Sequence, residues 1–298
     1  MKKTVNIILL FFCLIKVKAQ DAVVKELQIN ALKDIKPADS NGWSKSGTFI
    51  LNINQGTLQN WSAGGEQNTF GVNCIFNYNI NFRKDRNTWS NYFDLALGFQ
   101  NATSFGSFRK TDDRIDITSK YGYQLNKTVY AAFLVNFNSQ AIKGFDYSTN
   151  PATKISNFLT PGKILASLGL DYRPDESFTL FISPLTTRWV LKLDKSFDSL
   201  NKFGVPAFKR TYTEVGSFAT IKYSKALNKW ARYTGRVDFF SNYKRNPQNI
   251  DVFCTNFLSM KFNRWLGTTL SLDLIYDDDV IKKTQLKEIL GIGLTIKL

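Results

Sequence analysis

The stretch from Phe70 to Phe82 alternates between apolar and small or polar residues. All its even positions are apolar, and its odd positions are glycine or asparagine except for Ile75. A period of two is typical of an extended strand with one apolar and one polar face. The stretch exceeds the usual soluble strand of about 5 to 6 residues, whereas a tilted strand needs about 9 to 11 residues to cross a bilayer. We therefore predict a membrane-spanning strand with lipid on one side and a polar lumen on the other.

The same alternation recurs along the chain and predicts about twelve strands, the first over residues 47–54 and the last over 290–298. The pattern is weakest over residues 178–191, where Pro184 requires a bulge or a break in the pairing. Long links follow the odd-numbered predicted strands and short links follow the even-numbered ones. This asymmetry is typical of short periplasmic turns and long extracellular loops. The predicted fold is all-β, a closed antiparallel transmembrane β-barrel over residues 45–298.

A soluble β-sandwich is the competing interpretation, because its strands also alternate. It predicts shorter strands and no systematic difference between the links. The chain also contains 25 Phe, 12 Tyr and 6 Trp, which suits a lipid-facing wall with aromatic girdles at both interfaces. These features favour the barrel.

The N-terminal residues predict export. Residues 1–19 combine two early lysines, an apolar run over 7–15 and a small residue at the end, which is the pattern of a secretory signal peptide. The run is too short for a transmembrane helix. Cys13 raises the possibility of a lipoprotein, but Phe12 is bulky where a small residue is expected. Residues 20–44 are predicted to be a periplasmic leader of unassigned role.

The expected location is therefore the outer membrane, with outer-membrane lipid and the barrel assembly machinery as partners. An apolar-alternating final strand is where such barrels carry their assembly signal, although Leu298 replaces the usual terminal aromatic residue. Cys74 and Cys254 fall on the lipid-facing parity of distant strands. We predict that they form no disulfide and act as small apolar side chains.

The strand positions that alternate with the apolar ones are predicted to face the lumen, and several of them carry charged side chains. The candidates are Arg114, Asp116, Lys120, Arg173, Lys222, Arg232, Arg236 and Asp238. Barrels of about 8 strands are filled by side chains and those of about 16 to 18 are open, so twelve strands fit two interpretations. One is a narrow, slightly anion-preferring pore, since rings of Lys and Arg select anions. The other, which we favour, is a set of mutual salt bridges, with the loop over residues 141–163 folded inward as a constriction.

The net charge of +15 falls to about +11 without the four lysines of the signal peptide. Such a charge favours contact with anionic lipid headgroups or with a small anionic solute. Nucleic acid is not an expected partner, because the negative lipid surface explains the basic character.

The chain contains no histidine. This removes Ser-His hydrolysis, histidine acid-base catalysis and most zinc sites, so we predict no enzymatic activity and no cofactor. Asp277, Asp278 and Asp279 form an acidic run that could bind calcium through oxygen ligands. A solvated acidic loop tip is the interpretation that we favour.

Several short motifs together resemble an uncharacterised family. They are NWSAGGE at 60–66, FRKTDD at 108–113, SKYGY at 119–123, KISNF at 154–158, FSNY with NPQNID within 240–251, and YDDD at 276–279. The chain resembles, over about residues 43–298, a domain family of unknown function found in secreted barrel-like proteins of Bacteroidetes-type bacteria. The resemblance implies an outer-membrane protein and leaves its activity open.

These motifs lie mostly in or beside predicted external loops. Their Gly, Asn and Asp residues either set loop geometry or fold together over the barrel mouth to bind or gate a solute. The mouth candidates are Trp61, Glu66, Arg109, Lys110, Asp112, Asp113, Asn157 and Asn249. The leading functional hypothesis is a non-catalytic porin-like channel or solute-binding barrel with a mildly basic lumen. The alternative is a closed structural or adhesion barrel whose loops contact a partner.

Overall fold

The computed structural model describes residues 41–59, 66–175, 177–262, 266–277 and 281–297. The predicted signal peptide and nearly all of the predicted leader lie outside the described residues. So do Trp61, Asp278, Asp279 and Leu298. Among the described residues, no helix has the length and hydrophobicity needed to traverse a bilayer.

The described residues form fourteen strands, and twelve of them build one closed sheet. The first barrel strands are β1 (Gly42–Thr57), β2 (Asn68–Lys84), β3 (Asn87–Ala102), β4 (Arg109–Gln124), β5 (Val129–Ser139) and β8 (Gly162–Tyr172). The remaining barrel strands are β9 (Phe178–Leu191), β10 (Thr211–Ala226), β11 (Ala231–Asn242), β12 (Ile250–Lys261), β13 (Leu266–Asp277) and β14 (Ile281–Lys297). The other two, β6 (Gly144–Asp146) and β7 (Thr153–Ser156), form a separate small hairpin.

Every neighbouring pair in the barrel is antiparallel, and β1 pairs with β14 to close the ring. The predicted fold, an all-β closed antiparallel barrel of twelve strands, is confirmed. The closing seam is short, because β1 and β14 share five residue pairs, from Thr48 opposite Lys297 to Asn52 opposite Gly293. Within the described residues, every other ladder of the barrel contains at least ten pairs.

The distribution of polarity is the reverse of that in a soluble protein. Large apolar side chains lie on the outer face, such as Phe133 at 47% exposed and Leu168 at 57%. The lumen side instead buries charged residues, including Asp171 and Glu214. A contiguous apolar wall of this extent on a soluble monomer would be a site of aggregation. The outer face is therefore built to contact an apolar medium.

Aromatic side chains gather near the end of the barrel that carries the short turns. Trp43 lies 4.9 Å from Phe82 and 6.0 Å from Trp89, measured between ring centroids. The Trp89 Nε1–H donates a hydrogen bond to Ser119 Oγ at 2.9 Å. Rings that are apolar on one side and polar at one edge suit a membrane–water interface.

The irregularity predicted at Pro184 is present. The pairing of β9 shifts register against both neighbours there, between Leu168 and Leu170 on β8 and between Gly216 and Phe218 on β10. Proline donates no backbone hydrogen bond, so a bulge lets the ladder continue on either side of it. At Gly169, a Cβ atom would collide with the Ile182 carbonyl, so the bulge also requires the absence of a side chain on β8.

The links confirm the predicted asymmetry with one exception. One end carries residues 85–86, 125–128, 173–177, 227–230 and 262–265, and we call it the short-turn end. The opposite long-loop end carries residues 58–67, 103–108, 140–161, 192–210 and 243–249. A long link before the last strand was also predicted, and this is wrong. The link is residues 278–280, because β14 begins at Ile281 and its charged first half pairs with β13.

Two long loops, residues 140–161 and 192–210, fold together into a compact cap at the long-loop end. The Asp194 N–H donates to Thr160 Oγ1 at 2.9 Å, and the Leu193 N–H donates to the Leu159 carbonyl at 3.2 Å. Phe197 and Val205 are buried within it. The loop that was predicted to fold inward thus packs against a neighbouring loop. Of residues 141–163, Lys163 alone is among the residues that line the lumen cavity described below, and it already belongs to β8.

Both cysteines of the described barrel, Cys74 and Cys254, are free and partly exposed. Cys74 stands opposite Leu97 in the pairing and Cys254 opposite Leu274, so both lie on the apolar outer parity.

Candidate functional site

Ion pairs cross the lumen near the long-loop end. Lys163 Nζ of β8 lies 3.0 Å from Asp277 Oδ2 of β13, five strands away in the ring of twelve. Arg188 of β9 reaches Asp251 Oδ2 of β12 at 2.8 Å and also donates to Glu214 of β10. All five side chains are at most 8% exposed. We call these five residues the upper ion layer, and it ties together strands from distant parts of the barrel.

The sequence did not predict the upper ion layer, of which only Asp277 had been named, as a calcium candidate. Lys163 was placed at the end of a loop and Asp277 in an acidic tip, while Arg188 lies in the strand with the weakest alternation. Extending the predicted strands would have placed these residues at lumen-facing positions of the alternation, and this is the signal that could have identified them.

Apolar side chains form the middle of the lumen on one side. They are Ala132, Leu134, Phe181, Phe218 and Phe240, with Leu165 packed against them. The rings of Phe181 and Phe218 have centroids 6.3 Å apart. Because these residues fall on the polar parity, the sequence analysis did not predict them.

A second charged group lies in the short-turn half, and most of its members were predicted. Lys120 Nζ is 2.6 Å from Asp171 Oδ2, and an Arg173 guanidinium nitrogen is 2.5 Å from the same oxygen. Lys222 instead places its ammonium 5.0 Å from the centre of the Tyr92 ring. We call Lys120, Asp171, Arg173 and Lys222 the lower ion cluster. Arg173 was predicted to lie within the strand, but it lies one residue beyond the end of β8.

The other predicted lumen residues also lie inside the barrel. Arg114 pairs with Asp94 at 2.9 Å, and Arg236 pairs with Asp238 at 2.6 Å. An Arg232 guanidinium nitrogen lies 3.5 Å from Ser224 Oγ. Most of the predicted lumen cations therefore stand beside a carboxylate, which is the arrangement expected for mutual salt bridges.

A cavity of about 70 Å³ lies in the lumen between these groups. Its charged and polar lining consists of Asp116, Asn136, Asn138, Lys163, Arg188, Arg236 and Asp238. Its apolar lining consists of Leu134, Leu165, Phe218, Phe240 and Phe253. A concave, mainly apolar site with a few fixed polar groups is the usual form of a small-molecule site.

Four mouth candidates belong to a strand, which corrects their predicted loop position. Arg109, Lys110, Asp112 and Asp113 all lie in β4, because polar residues continue the strand where its rim is solvated. Asp112 faces the lumen, where it accepts from Asn73 Nδ2 at 3.1 Å and pairs with Lys287 of β14 at 3.6 Å.

The other three of these β4 residues, together with Glu66, connect neighbouring loops at the rim. The Arg109 guanidinium lies 3.9 Å from the Phe105 ring and 4.3 Å from the Tyr147 ring. Lys110 pairs with Asp113 at 2.9 Å and donates to the Ile142 carbonyl at 3.0 Å. These contacts join residues 103–108 to residues 140–161.

Glu66 and Asp194 are loop carboxylates held by hydrogen bonds. Glu66 accepts from the Ser104 hydroxyl and from the Ser104 N–H at 3.1 Å, and these bonds lower its pKa. Asp194 accepts from Lys154 Nζ at 2.8 Å and from Asn157 Nδ2 at 2.6 Å. The Lys154 hydrogen bond is the largest of several that lower the pKa of Asp194 well below its ordinary value. Asn157 thus anchors the cap instead of facing the mouth.

The remaining predictions concern Asn249 and the acidic run. Asn249 accepts from the Tyr276 hydroxyl at 3.4 Å. Asp277 is not at a solvated loop tip but is a buried part of β13 and pairs with Lys163, which corrects the favoured interpretation. Within the described ranges, no group of three or more Cys, Asp or Glu side chains is arranged to hold a metal ion.

Comparison with a family model gives one match. The model of a family described as "Protein of unknown function (DUF3078)" matches residues 53–145. This confirms the resemblance to a family of unknown function, over a shorter part of the chain than the motifs had implied. No curated protein matches the sequence significantly.

Among solved structures, the chain is similar to several barrels at low sequence identity. The translocator domain of the autotransporter NalP from Neisseria meningitidis is 10% identical, with a TM-score of 0.39 over 87% of this chain and 89% of that one. An outer membrane channel from Pseudomonas putida F1 is 10% identical, with a TM-score of 0.40 over 89% and 99% of the two chains. The NanC porin is 6% identical, with a TM-score of 0.40 over 84% and 100%.

Proposed function

We propose that this protein is an outer-membrane β-barrel that binds a small solute in a narrow lumen and carries out no catalysis. The apolar outer wall and the N-terminal sequence pattern of an export signal support the location. The complete absence of histidine supports a non-catalytic role. The observation that carries the proposal is the mainly apolar lumen cavity, which lies beneath ion pairs that cross the lumen.

The cross-lumen pairs argue against a wide diffusion pore. Lys163–Asp277 and Arg188–Asp251 connect strands that are not neighbours, and Lys287–Asp112 connects β14 with β4. Such contacts require side chains from opposite walls to meet, so little open cross-section is left at that height. A solute that enters the cavity from the long-loop end must displace or rearrange these pairs.

The mildly basic lumen remains part of the proposal, but only for the short-turn half. Three of the four residues of the lower ion cluster are cations. Lys120 and Arg173 share Asp171 as their carboxylate, and Lys222 lies over the Tyr92 ring. Inorganic ions that pass this half experience a net positive potential. We therefore expect a weak preference for anions in whatever current the barrel conducts.

Electrical recording in planar bilayers tests this function. The wild-type protein should give at most small and infrequent conductance steps, because the lumen is crossed by ion pairs. The double variant Lys163→Gln and Arg188→Gln should give larger and more frequent steps, while Lys209→Gln in an exposed loop should behave as wild type. Large, stable steps from the wild-type protein would show an open porin and would overturn the proposal.

A second function, partner binding by the cap, is favoured by one observation. Phe208 is 82% exposed and adopts a φ of 60°, a left-handed conformation that is strained for a bulky side chain. It lies beside Lys209 and Arg210, so the cap presents an aromatic and basic tip. The variant Phe208→Ser should abolish adhesion to a partner surface without changing solute binding in the lumen. Loss of both would show that the cap also forms part of the solute site.

A further inference from the structure

The seam that closes the barrel is paired over only part of its length. β1 pairs with β2 along its whole length, but it pairs with β14 only over residues 48–52. β14 pairs with β13 as far as Ile281, although its ladder with β1 ends at Gly293. Within the described ranges, residues 53–57 of β1 and 281–292 of β14 therefore form two edges with no ladder between them. We call the space between these two edges the lateral opening, and it lies in the half of the barrel nearer the long-loop end.

Side-chain burial on β1 changes at the point where the pairing stops. On the lumen face of β1, Thr48, Ile50 and Asn52 are at most 8% exposed. The next lumen-facing residue, Asn54, is exposed, although its partner Gly71 on β2 is buried. The lumen face of β1 is therefore uncovered only beyond the paired part of the seam.

The lumen faces of β13 and β14 differ in the same way. The lumen-facing positions of β13 are all buried, whereas those of β14 over residues 285–293 are all partly exposed. Ser271 and Ile289 stand directly opposite each other, and only Ser271 is buried. A closed wall would cover both strands alike, so β14 is open on the side that faces β1.

The asparagine side chains of β1 also indicate that the strands diverge. If the ladder continued in the same register, Asn54 would stand opposite Gly291. The space over Gly291 is instead occupied by the Asn52 amide, whose Nδ2 lies 2.9 Å from the position of a Cβ atom there. The Asn54 amide lies over Gly71 of β2. Above Asn52, β1 therefore stays with β2 and leaves β14.

A carboxylate stands on the outer wall beside the lateral opening. Glu288 is exposed, lies on the same outer face as Leu286 and Leu290, and stands directly opposite Leu272 of β13. A charged side chain on a lipid-facing wall is unfavourable. Sheet edges without a partner are likewise tolerated at membrane depth only where they line a polar, water-filled space. Both observations are explained if polar groups or water occupy the lateral opening.

The lumen behind the lateral opening is polar. Lys287 of β14 lies 3.6 Å from Asp112 of β4, and Asp112 also accepts from Asn73 Nδ2 at 3.1 Å. Asn54 adds an amide from the other edge. A molecule in the lateral opening would therefore meet lipid on one side and hydrogen-bonding groups on the other.

We propose that the lateral opening is a passage for an amphipathic molecule between the lumen and the bilayer leaflet nearer the long-loop end. The polar group of the molecule contacts Asn54 and the Lys287–Asp112 pair, and its hydrocarbon part stays among the acyl chains. The inference goes beyond the proposed solute-binding function. It names a route into the lumen that starts in the membrane, and it specifies the kind of molecule that can take that route.

Oxidation of paired cysteines tests the lateral opening itself. The two native barrel cysteines are first replaced by alanine. Leu51→Cys with Leu294→Cys is the control, because these residues stand directly opposite each other in the paired part of the seam. Gln55→Cys with Leu290→Cys occupies the same face four residues further along each strand. A disulfide needs Cα atoms about 4.4–6.8 Å apart, so the control pair should oxidise about ten-fold faster than the test pair or more.

Modification of single cysteines in lipid vesicles tests the passage. Octyl methanethiosulfonate is amphipathic and reaches the protein from the membrane, whereas sulfonatoethyl methanethiosulfonate is charged and reaches it from water. Rates are expressed relative to Phe208→Cys in the exposed cap tip. Ile289→Cys should react faster with the octyl reagent than with the sulfonatoethyl reagent. Ser271→Cys, opposite it on the covered strand, should react with neither.

The possible results separate this inference from the proposed function. Equal oxidation rates of the two cysteine pairs would show a closed seam and overturn the inference, while a solute-binding lumen would still stand. Faster modification of Ile289→Cys by the sulfonatoethyl reagent would show access through lumen water and overturn the passage for an amphipathic molecule. Slow oxidation of the test pair together with large, stable conductance steps would support the lateral opening and overturn the proposed function alone.

Discussion

Replacement of Arg188 by methionine provides a quantitative test of the lumen architecture. The guanidinium is 6% exposed as a side chain and holds Glu214 and Asp251, whose side chains are 1% and 6% exposed. Its removal leaves two buried carboxylates without their cation. Breaking a buried ion pair by removing one partner costs about 3–5 kcal/mol, because the remaining charge stays desolvated. We expect Arg188→Met to lower the free energy of unfolding by about this amount.

Reversible urea unfolding in lipid vesicles, followed by tryptophan fluorescence, measures the change. Arg210→Met is the matched control, because Arg210 pairs with Asp198 at 3.1 Å but is 48% exposed as a side chain. Exposed pairs contribute about 0–1 kcal/mol, so the control should lie close to wild type. Adding Glu214→Gln and Asp251→Asn to Arg188→Met should restore most of the lost stability, since no unpaired charge then remains.

Equal stability of Arg188→Met and Arg210→Met would refute the reasoning. It would mean that water reaches Glu214 and Asp251, and hence that the upper ion layer does not close the lumen. A failure of the triple variant to recover stability would show that packing around Arg188, including its contact with Phe240, contributes more than charge.

Three further predictions concern the cap and the seam. Lys192 is fully buried and donates to the carbonyls of Leu200 and Pro206, so Lys192→Met should make residues 192–210 sensitive to limited proteolysis, and continued resistance would contradict this. The hydrogen bond from Lys154 lowers the pKa of Asp194 in the folded protein. The ionised carboxylate therefore stabilises the cap fully above the pKa of about 3.9 that an aspartate has in the unfolded chain. This stabilisation is lost only as the pH falls through the lower pKa of the folded state. The wild-type cap should therefore resist pepsin at about pH 3, whereas Asp194→Asn should be cleaved. Gly293→Val would collide with the Leu51 carbonyl at the five-pair seam and should cost about 1–3 kcal/mol in urea unfolding, while Leu290→Val on the exposed outer face should not.

The barrel could be predicted from the sequence because a period of two is a strong and local signal. The alternation over residues 70–82 identifies the outer face of β2 without any knowledge of its neighbours. Pro184 likewise reveals its bulge, since proline cannot complete a ladder. Strand ends are less visible, because charged residues at a solvated rim continue β4 and β14 while resembling loops.

The candidate site was only partly predictable, for a different physical reason. Parity assigned Arg114, Asp116, Lys120 and Arg236 to the lumen, where they lie. The upper ion layer and the apolar lining depend on which strands face each other across the ring, and this is not encoded locally. Phe218 and Phe240 occupy the polar parity because they fill the lumen, so a rule based on polarity alone passes over them.

Accessibility of spin labels at Phe133 and Asn136 tests the central claim most directly. Both lie on β5, with Phe133 on the outer wall and Asn136 in the lumen cavity. Nitroxides at single cysteines, introduced after replacing Cys74 and Cys254 by alanine, report collision with apolar oxygen or with a polar nickel complex in reconstituted vesicles. The label at residue 133 should be accessible to oxygen and protected from the nickel complex, as expected of a side chain in lipid. The label at residue 136 should not show this combination of oxygen accessibility and nickel protection. Nickel accessibility at residue 133, equal to that of a label on an exposed loop, would contradict a barrel whose outer wall lies in lipid.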